Sequence, residues 1–556
     1  MSRFNTTTVT TARGTGPIVA EPVASGRTAL GADGFARTAK GELFLLAVAN
    51  MVAKRAHHEA AAARDSRFVQ LVRDVALEDV AWVCRFLPWL RRTATMRTAP
   101  IVAGAEALYA REQAGQHDRT WNPQLITGAM ARADEPGEML GYWRSHFGRS
   151  MPKSFRYGMA RALVALYTQR SLLKWDTDSH AFRFGDLVDL FHPDPMVWQP
   201  TGSTAPPGLD DPDLDRIGDR RAELRELFRY AMDRRRGRHD RIGERLHIVR
   251  AFRDLWAVPQ GERRAILRDP ATRHELTHRL RRAGFTWEML ASWLDGPLDA
   301  DGWSTILPCM GYEARLKNLR NFDDAGLPDD AVEDLVAFLT DPEQVARSRQ
   351  LPIRFLTAYR AVQSSLRWAY PLEKALQLSL RNVPSLPGRT LVLVDQSPSM
   401  FKKYGCYAGD SRDEIELHDT AAIFGAALAV RAADATLVEY GGDSRPVDFR
   451  KSDSVLALAG KFSAIPYTNT FLAMQRHYRA HDRVIVITDE QTAALGGGHS
   501  FDPIPATVPV YTWNLGGYRY GHLPTTRNRV TFGGLTDAAF GMIDLVERGH
   551  NADWPF

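Results

Sequence analysis

Residues 389–400 read RTLVLVDQSPSM, and they decide how the last third of the chain folds. The run from Leu391 to Val394 is apolar without alternation, which is typical of a strand buried on both faces of a sheet. Short oxygen-bearing side chains follow at Asp395, Ser397 and Ser399. Because open α/β sheets bind ligands beyond the carboxyl ends of their strands, these oxygens predict a ligand site. Such hard donors favour a divalent cation, with Mg²⁺ expected and Ca²⁺ or Mn²⁺ as alternatives.

Two later stretches supply the remaining ligands of such a site. A second apolar strand, residues 483–488, also ends in a carboxylate, Asp489, and residues 468–470 read TNT before a predicted helix. The spacing Asp-x-Ser-x-Ser, with a later Thr and Asp, resembles the metal-ion-dependent adhesion site of von Willebrand factor A domains. That resemblance implies Thr468 as a ligand, although residues 466–467 are Pro-Tyr where the family commonly carries Gly-Gly. The alternative is that the first three side chains merely cap a helix.

Composition places the chain among ordinary soluble globular proteins. It has 556 residues, of which 44% are hydrophobic and 25% charged, and this length predicts roughly two to four domains. No stretch approaches the roughly 20 apolar residues of a membrane helix, and no hydrophobic signal core begins the chain, so we expect a cytoplasmic location. Cys84, Cys309 and Cys406 lack metal-ligand spacing and are predicted to be structural thiols.

Charge is informative through its distribution along the chain. The net charge of +5 decides little, but arginine concentrates between residues 219 and 282. The planar guanidinium group favours phosphate contacts and stacking on bases. Acidic residues are interleaved there, so a solvated helix face and an RNA surface both stay open as interpretations.

The hydrophobic pattern changes twice along the chain. Residues 1–37 are rich in Thr, Gly, Ala and Pro, and they predict a flexible N-terminal arm. Residues 38–384 carry helical periodicity broken by short Pro/Gly segments, which predicts stacked helices of the HEAT type. Residues 385–556 alternate strands and helices, which predicts a mostly parallel, doubly wound α/β domain. Its predicted strands are 390–394, 435–440, 483–488 and 508–514, and its predicted helices are 418–433, 470–480 and 536–548.

An all-helical region followed by an A-type domain is the layout of the TROVE-domain proteins, the Ro autoantigen family of ribonucleoprotein components. The chain resembles bacterial members of that family over nearly its whole length after the arm. The stretches that carry the resemblance are GELFLLAVANMV (41–52), ARDSRFVQLV (63–72), GRSMPKSFRYGMARAL (148–163), FRFGDLVDLFH (182–192) and GYEARLKNLRN (311–321).

This resemblance implies a noncatalytic RNA-binding scaffold whose helical repeats form a ring. The family binds small structured noncoding RNA, called Y RNA, and threads single-stranded ends of misfolded RNA; bacterial members scaffold an exoribonuclease. These activities imply a role in RNA quality control or the stress response. The family's RNA-contacting histidine corresponds to His192 and its Gln-Arg arginine to Arg170, whereas its lysine one turn earlier is missing near Leu166.

Physical chemistry gives these positions a second interpretation. Lys153, Arg156 and Arg161 can present cations to phosphates, with an affinity that falls as salt rises. His192 can donate to a phosphate or stack on an unpaired base. The alternatives are a loop or cap histidine and solvated surface charges. The tryptophans are predicted to pack in the core or between helices rather than to stack on bases: Trp82, Trp89, Trp143, Trp175 and Trp287.

Enzyme classes that begin with a buried strand and an aspartate fit poorly. A haloacid-dehalogenase-type phosphotransferase needs a second carboxylate two residues after Asp395, and the chain has Ser397 there. A two-metal nuclease needs more carboxylates than Asp395 and Asp489. We therefore predict no catalysis. The alternative function is a metal-dependent protein-interaction scaffold without RNA, in which the cation accepts an acidic group of a partner protein.

Overall fold

The computed structural model describes residues 24–49, 59–198, 214–348, 350, 352–362, 365–380, 383, 385–401, 416–493, 502–533, 543, 546–547, 554 and 556. Internal contacts divide the chain into two compact units, one of Val72–Gln344 and one of Met1–Leu71 with Val345–Phe556. The predicted domains followed chain order, whereas these contacts group the first 71 residues with the last part of the chain. Contacts between segments so far apart leave no signal in a local sequence pattern.

Helices make up most of the described chain before residue 380. They are α1 (Ala39–Ala49), α2 (Ala61–Glu78), α3 (Val80–Arg92), α4 (Thr98–Gln113), α5 (Trp121–Gly128), α6 (Glu135–Phe147), α7 (Lys153–Leu166), α8 (Gln169–Trp175), α9 (Phe184–Phe191), α10 (Leu214–Arg235), α11 (His247–Trp256), α12 (Gln260–Arg268), α13 (Pro270–Ala283), α14 (Trp287–Leu294), α15 (Ala300–Ile306), α16 (Tyr312–Lys317), α17 (Leu319–Asp324), α18 (Asp329–Leu339), α19 (Pro342–Ser348), α20 (Pro352–Ala361) and α21 (Leu366–Ser379).

These helices pack closely because small residues allow their backbones to approach. Helix α7 shows this against α5: a Cβ added at Gly158 would lie only 2.8 Å from the carbonyl oxygen of Pro123. The same face of α7 buries Phe155, Met159 and Leu163 at helical spacing. The prediction of a helical region is therefore confirmed. Among the described residues, no helix combines the length and the apolar character needed to cross a membrane.

The α/β part of the chain begins at residue 389. Its elements are the strands β3 (Arg389–Asp395), β4 (Asp434–Tyr440), β5 (Ser444–Pro446), β6 (Arg483–Thr488), β7 (Val510–Asn514), β8 (Tyr520–Gly521) and β9 (Arg529–Gly533), and the helices α22 (Leu417–Arg431), α23 (Val455–Ala459) and α24 (Thr470–His477), after β1 (Gly26–Arg27) and β2 (Asp33–Ala36) near the start of the chain. In the described residues, six strands form one sheet in the order β5-β4-β3-β6-β7-β9. All neighbours in it are parallel except β5, which pairs antiparallel with β4.

This sheet confirms the four predicted strands, each to within two residues at either end. The central strands β3 and β6 are buried along almost their whole length, as an apolar run without alternation indicates. Strands β5 and β9 were not predicted: β5 has only three residues, β9 mixes polar and apolar residues (RVTFG), and each pairs with one neighbour at an edge of the sheet. Most of the predicted helix at 536–548 lies outside the described residues.

Residues 24–37 belong to the predicted N-terminal arm, yet they form β1 and β2. These two strands pair antiparallel with each other, and β2 pairs with β8, almost 500 residues later in the chain. Strands of two and four residues carry no detectable periodicity, and β2 has a distant partner, β8, in addition to β1. This explains why the sequence pattern indicated an arm instead.

The contact between α22 and β3 gives a direct test of the α/β packing. A Cβ at Gly425 of α22 would lie 2.3 Å from Cγ2 of Val394. We therefore expect Gly425→Val to destabilise this unit by about 1–3 kcal/mol, since overpacking a buried contact forces side chains and backbone apart. Differential scanning calorimetry measures the change. Gly218→Ala on α10, where nothing lies within 4 Å, is the control and should be neutral or stabilising. An unchanged melting temperature for Gly425→Val would contradict the described packing.

Candidate functional site

Two carboxylates meet at the carboxyl ends of neighbouring strands. Asp395 ends β3 and Asp489 directly follows β6, and the two strands pair side by side in the sheet. Both side chains are fully buried. Burial and the nearby Asp395 carboxylate raise the pKa of Asp489 to about 7, and burial also raises the pKa of Asp395. Two buried carboxylates destabilise each other when both are ionised, and a cation between them would relieve that repulsion.

The two predicted serines lie in the same group. The Oγ atoms of Ser397 and Ser399 are 3.2 Å apart, and the Ser399 side chain lies close enough to Asp489 to oppose the rise in the pKa of that carboxyl. The backbone N–H of Ser397 donates to Oδ1 of Asp395 at 2.9 Å. The hydroxyl of Thr488, a residue absent from the predicted set, donates to Oδ2 of Asp395 at 2.6 Å. The structure thus brings together four of the five predicted ligands and adds a threonine that orients one carboxylate.

Thr468, the fifth predicted ligand, is buried in the loop before α24. Its carbonyl oxygen accepts a hydrogen bond of 3.0 Å from the N–H of Ala493, in the loop that follows Asp489. The preceding residue, Tyr467, has a φ of 61° and is 81% exposed. A positive φ is strained for a bulky residue and easy for glycine, which explains the Gly that A-type domains commonly carry there. Thr468 is therefore joined to the loop that follows Asp489, with an exposed tyrosine beside it in the chain.

The donor set fits a hard divalent cation. Oδ2 of Asp489 is buried and accepts no hydrogen bond from protein, so this oxygen is available to a cation. Carboxylate and hydroxyl oxygens are the ligands that Mg²⁺ and Ca²⁺ prefer. Among the described residues, no group of three or more His, Cys, Asp or Glu side chains has the geometry of a metal site. The candidate site differs from such a group, because it combines only two carboxylates with hydroxyl oxygens.

The loop after Asp489 is held by the turn between β1 and β2 and by Arg37, which follows β2, and sequence reasoning missed these contacts. Each residue from 490 to 493 has a partner in the segment 24–37. The contacts are an ion pair between Glu490 and Arg37, a hydrogen bond from the N–H of Ala29 to Oε1 of Gln491 at 2.7 Å, one from Oγ1 of Thr28 to the carbonyl oxygen of Thr492 at 2.8 Å, and a β-bridge between Ala493 and Gly31. This anchoring fixes the loop that lies between Asp489 and Thr468. No local pattern signals it, because the partners are about 460 residues apart.

In the helical unit, the predicted RNA contacts on α7 share one exposed helix face. Lys153, Arg156 and Arg161 are exposed, and so is His192, which ends α9 with a φ of 48°. Nη2 of Arg156 donates to the carbonyl oxygen of Leu190 at 3.1 Å, which places this arginine beside the end of α9.

An aromatic side chain that was not predicted extends this surface. Tyr157 is 50% exposed, and the guanidinium carbon of Arg161 lies 5.7 Å from its ring centroid. We call Lys153, Arg156, Tyr157, Arg161 and His192 the basic face.

Arg170 lies in a different environment from the basic face. It is exposed, and its Cγ would lie 3.1 Å from a Cβ at Gly284, which ends α13. The Arg-rich region also differs from a free cationic surface, because many of its arginines pair with acids inside the unit. Examples are Arg235 with Asp186, Arg245 with Glu226 and Arg273 with Asp301. These pairs agree with the solvated-face interpretation for the arginines that form them.

The tryptophans and cysteines mostly follow the packing prediction. Trp82, Trp89 and Trp143 are buried, whereas Trp175 and Trp287 are only half-buried. Burial raises the pKa of the Cys84 thiol to about 12, which suits a structural role. Cys406 lies outside the described residues.

The buried carboxylate pair predicts how the metal-free protein responds to pH. Asp489 has a pKa raised from 3.8 to about 7, so its ionisation costs stability as pH rises through that interval. We expect Asp489→Asn to raise the melting temperature in EDTA above about pH 7 and to have less effect at lower pH, since asparagine carries no charge. Thermal unfolding across pH measures this. The control is Asp448→Asn at an exposed position, and an equal gain at every pH would contradict the predicted repulsion.

Comparison with known proteins agrees with these observations. Residues 278–368 match the family model of the TROVE domain. The fold is similar to that of the Ro (RSR) protein of Deinococcus radiodurans, with a TM-score of 0.52 and 16% identity over 92% of this chain and 100% of that one. No curated protein matches the chain in sequence. Residues 278–368 therefore match the TROVE domain, and the chain has a Ro-like fold in which a helical repeat region precedes a von Willebrand factor A-like domain.

Proposed function

We propose that this protein is an RNA-binding scaffold. The observation that carries the proposal is the basic face, where exposed cations surround an exposed aromatic ring and a histidine. Lys153, Arg156 and Arg161 offer charge to phosphates, and Tyr157 and His192 offer planar groups to unpaired bases. Such a surface suits RNA with both structured and single-stranded parts. The TROVE match and the Ro-like fold support this assignment by analogy.

The RNA that we propose is small, structured and noncoding, of the Y-RNA kind, together with single-stranded ends of misfolded RNA. In this role the protein acts in RNA quality control or the stress response, and an exoribonuclease is the partner that such a scaffold brings to the RNA. The protein itself performs no catalysis in this proposal. Two carboxylates at the sheet edge suit one cation, whereas metal-dependent hydrolysis of RNA commonly uses two.

The A-type domain contributes a site for a divalent cation in this proposal. Ser397, Ser399 and Thr468 bind the cation directly, and Asp395 and Asp489 bind it directly or through water. Mg²⁺ is the proposed ion, with Ca²⁺ or Mn²⁺ as alternatives. The bound cation supplies an open coordination position that accepts a carboxylate from a partner. The unpaired, buried Oδ2 of Asp489 is the observation that supports it.

A second candidate function, a metal-dependent protein-interaction scaffold without RNA, is favoured by the surroundings of Thr468. The exposed Tyr467 stands at a cleft next to this residue. An exposed aromatic ring beside a cation site is typical of a protein-binding hot spot, since tyrosine contributes a large contact area at low entropic cost. An experiment distinguishes the two candidate functions. An RNA binder copurifies with nucleic acid and releases it at high salt, whereas a protein scaffold does not.

The basic face predicts the effect of two substitutions on RNA binding. We expect His192→Ala with Arg156→Ala to weaken binding roughly tenfold and to reduce the salt dependence by about one phosphate contact, since one cation and one planar donor are removed. RNA is identified by crosslinking and sequencing in the protein's own cells, and affinity is then measured with that RNA at several salt concentrations. Arg245→Ala is the control, because this exposed arginine is paired with Glu226. Wild-type protein that enriches no RNA would contradict the proposal.

The cation site predicts a binding isotherm that depends on named side chains. After EDTA treatment and dialysis, isothermal titration of wild-type protein with MgCl₂ should give one site, and Asp395→Ala or Ser399→Ala should abolish it. Mg²⁺ should also stabilise wild type, raising its free energy of unfolding by about 2.7 kcal/mol at a concentration 100 times the Kd. The melting temperature should rise accordingly. Ser452→Ala, at an exposed serine of the same unit, should bind as wild type does. Heat of binding that survives Asp395→Ala would contradict this assignment of ligands.

A further inference from the structure

The helical unit contains a cavity that the basic face does not include. It has a volume of about 160 Å³ and lies between α6 and the segment that joins α8 to α9. That volume is well below the roughly 300 Å³ at which pockets for drug-sized ligands begin, so it admits one small ring system. The lining residues used below are Asp134, Gly137, Glu138, Gly141, Trp175, His180 and Phe182.

The walls of the cavity are flat and aromatic. Trp175 and Phe182 are both half-buried, so their rings are accessible from the cavity. On the opposite wall, Gly137 and Gly141 are one helical turn apart on α6 and add no side chains. A Cβ at Gly141 would lie 3.9 Å from Cε2 of Phe182, and one at Gly137 would lie 3.7 Å from Cβ of Phe182, which are ordinary van der Waals contacts. A side chain longer than that of alanine at Gly141 would therefore take space from the cavity that this residue lines. A planar ring fits such a slot better than a branched aliphatic group does.

Carboxylates and a histidine supply polar groups around this slot. Asp134 is buried and accepts hydrogen bonds from Nη2 of Arg132 at 2.6 Å and from Nη2 of Arg97 at 2.8 Å. Glu138 is partly exposed and also pairs with Arg97. Nδ1 of His180 lies 3.0 Å from Oγ1 of Thr177. Nε of Arg132 also donates to Oδ1 of Asp134 at 3.0 Å, so both oxygens of this buried carboxylate are bound by arginines. Glu138 and the imidazole of His180 are the groups that can read the donors and acceptors on the edge of a nucleobase.

Cations lie over the aromatic walls. The guanidinium carbon of Arg132 and the ammonium of Lys174 are each 5.2 Å from the Trp175 ring centroid, and the guanidinium carbon of Arg144 is 5.4 Å from that of Phe182. Positive charge around a small aromatic slot is complementary to a nucleotide, whose base is flat and whose phosphates are anionic.

The loop that carries His180 and Phe182 is held in place. Asp176 is buried at the end of α8, and its carboxylate accepts hydrogen bonds from Nε of Arg183 at 2.9 Å and from the N–H of Phe184 at 2.8 Å. These bonds close the loop from both ends, so the aromatic wall is formed before any ligand arrives. Preorganisation of this kind lowers the entropic cost of binding.

We infer that this cavity binds one unpaired nucleobase of single-stranded RNA, stacked against Trp175 and Phe182, with its phosphates near Arg132, Lys174 and Arg144. The inference rests on the proposed function and deepens it, because it assigns a base-binding site to the single-stranded part of the RNA. Stacking of one base on an aromatic side chain strengthens binding by roughly tenfold or more. The site is separate from the basic face, whose residues lie on α7 and at the end of α9.

The test compares two labelled oligoribonucleotides of about six nucleotides, one of adenylates and one abasic with the same phosphates, by fluorescence anisotropy. Wild-type protein should bind the adenylate oligomer roughly tenfold more tightly than the abasic one. Trp175→Leu should remove this preference and leave abasic binding unchanged. Gly141→Leu should do the same by filling the cavity, and it keeps the helix intact because leucine is a better helix former than glycine. Melting temperatures establish that both variants fold.

The control is Trp256→Leu, at an exposed tryptophan of the same unit that does not line the cavity, and its preference should equal that of wild type. A preference that persists in folded Gly141→Leu would overturn the inference, even if Trp175→Leu fails to fold. Equal binding of the two oligomers by wild type would also overturn it. Binding of the cell-derived structured RNA is measured in parallel. If that binding is intact, only the cavity assignment fails; if wild type binds neither the structured RNA nor the oligomers, the proposed function fails with it.

Discussion

The register between β3 and β6 is the constraint on which the candidate metal site depends. Val394 pairs with Ile487 in this parallel ladder, so Asp395 and Asp489 leave the sheet at the same edge. A slip of one residue would turn Asp395 to the opposite face. Burial then makes the meeting of two carboxylates expensive, and the surrounding structure compensates only in part. Thr488 binds one oxygen of Asp395, whereas Oδ2 of Asp489 stays without a protein partner. A cation is the simplest group that balances this arrangement.

The two units carry different functional groups on different kinds of structural element. In the A-type domain, hard oxygen ligands come from loops at one sheet edge, and the turn between β1 and β2 and Arg37 hold the loop at residues 490–493 in position. In the helical unit, cations and aromatic rings come from helix faces and helix ends. Glycines are important there for a packing reason: Gly158 brings α7 against α5, and Gly141 adds no side chain to the cavity wall beside Phe182. The RNA-directed and the metal-directed parts of the proposal therefore stand on independent observations.

Much of the fold, and half of the chemistry of the candidate metal site, can be predicted from local sequence patterns. The central strands are runs of apolar residues long enough to identify alone, and the side chains at their ends are adjacent because parallel neighbours share an edge. Strands β5 and β9 escape such reasoning, since β5 has only three residues and both lie at the edges of the sheet, where each pairs with a single neighbour. Thr488 escaped it as well, because a threonine inside a strand looks like any other β-branched residue until its hydroxyl is seen to reach Asp395.

By itself, the sequence determined the two fold classes, the order in which they occur, and the carboxylate and hydroxyl group at the strand ends, because each depends on residues within one or two elements. Only the tertiary structure decided that residues 28–37 anchor the loop after Asp489, and that Trp175 lines a cavity with Phe182 instead of filling a core. Both outcomes depend on which distant segment packs against a residue. Burial and partnership of that kind arise from the folded chain as a whole, so no local window of sequence contains them.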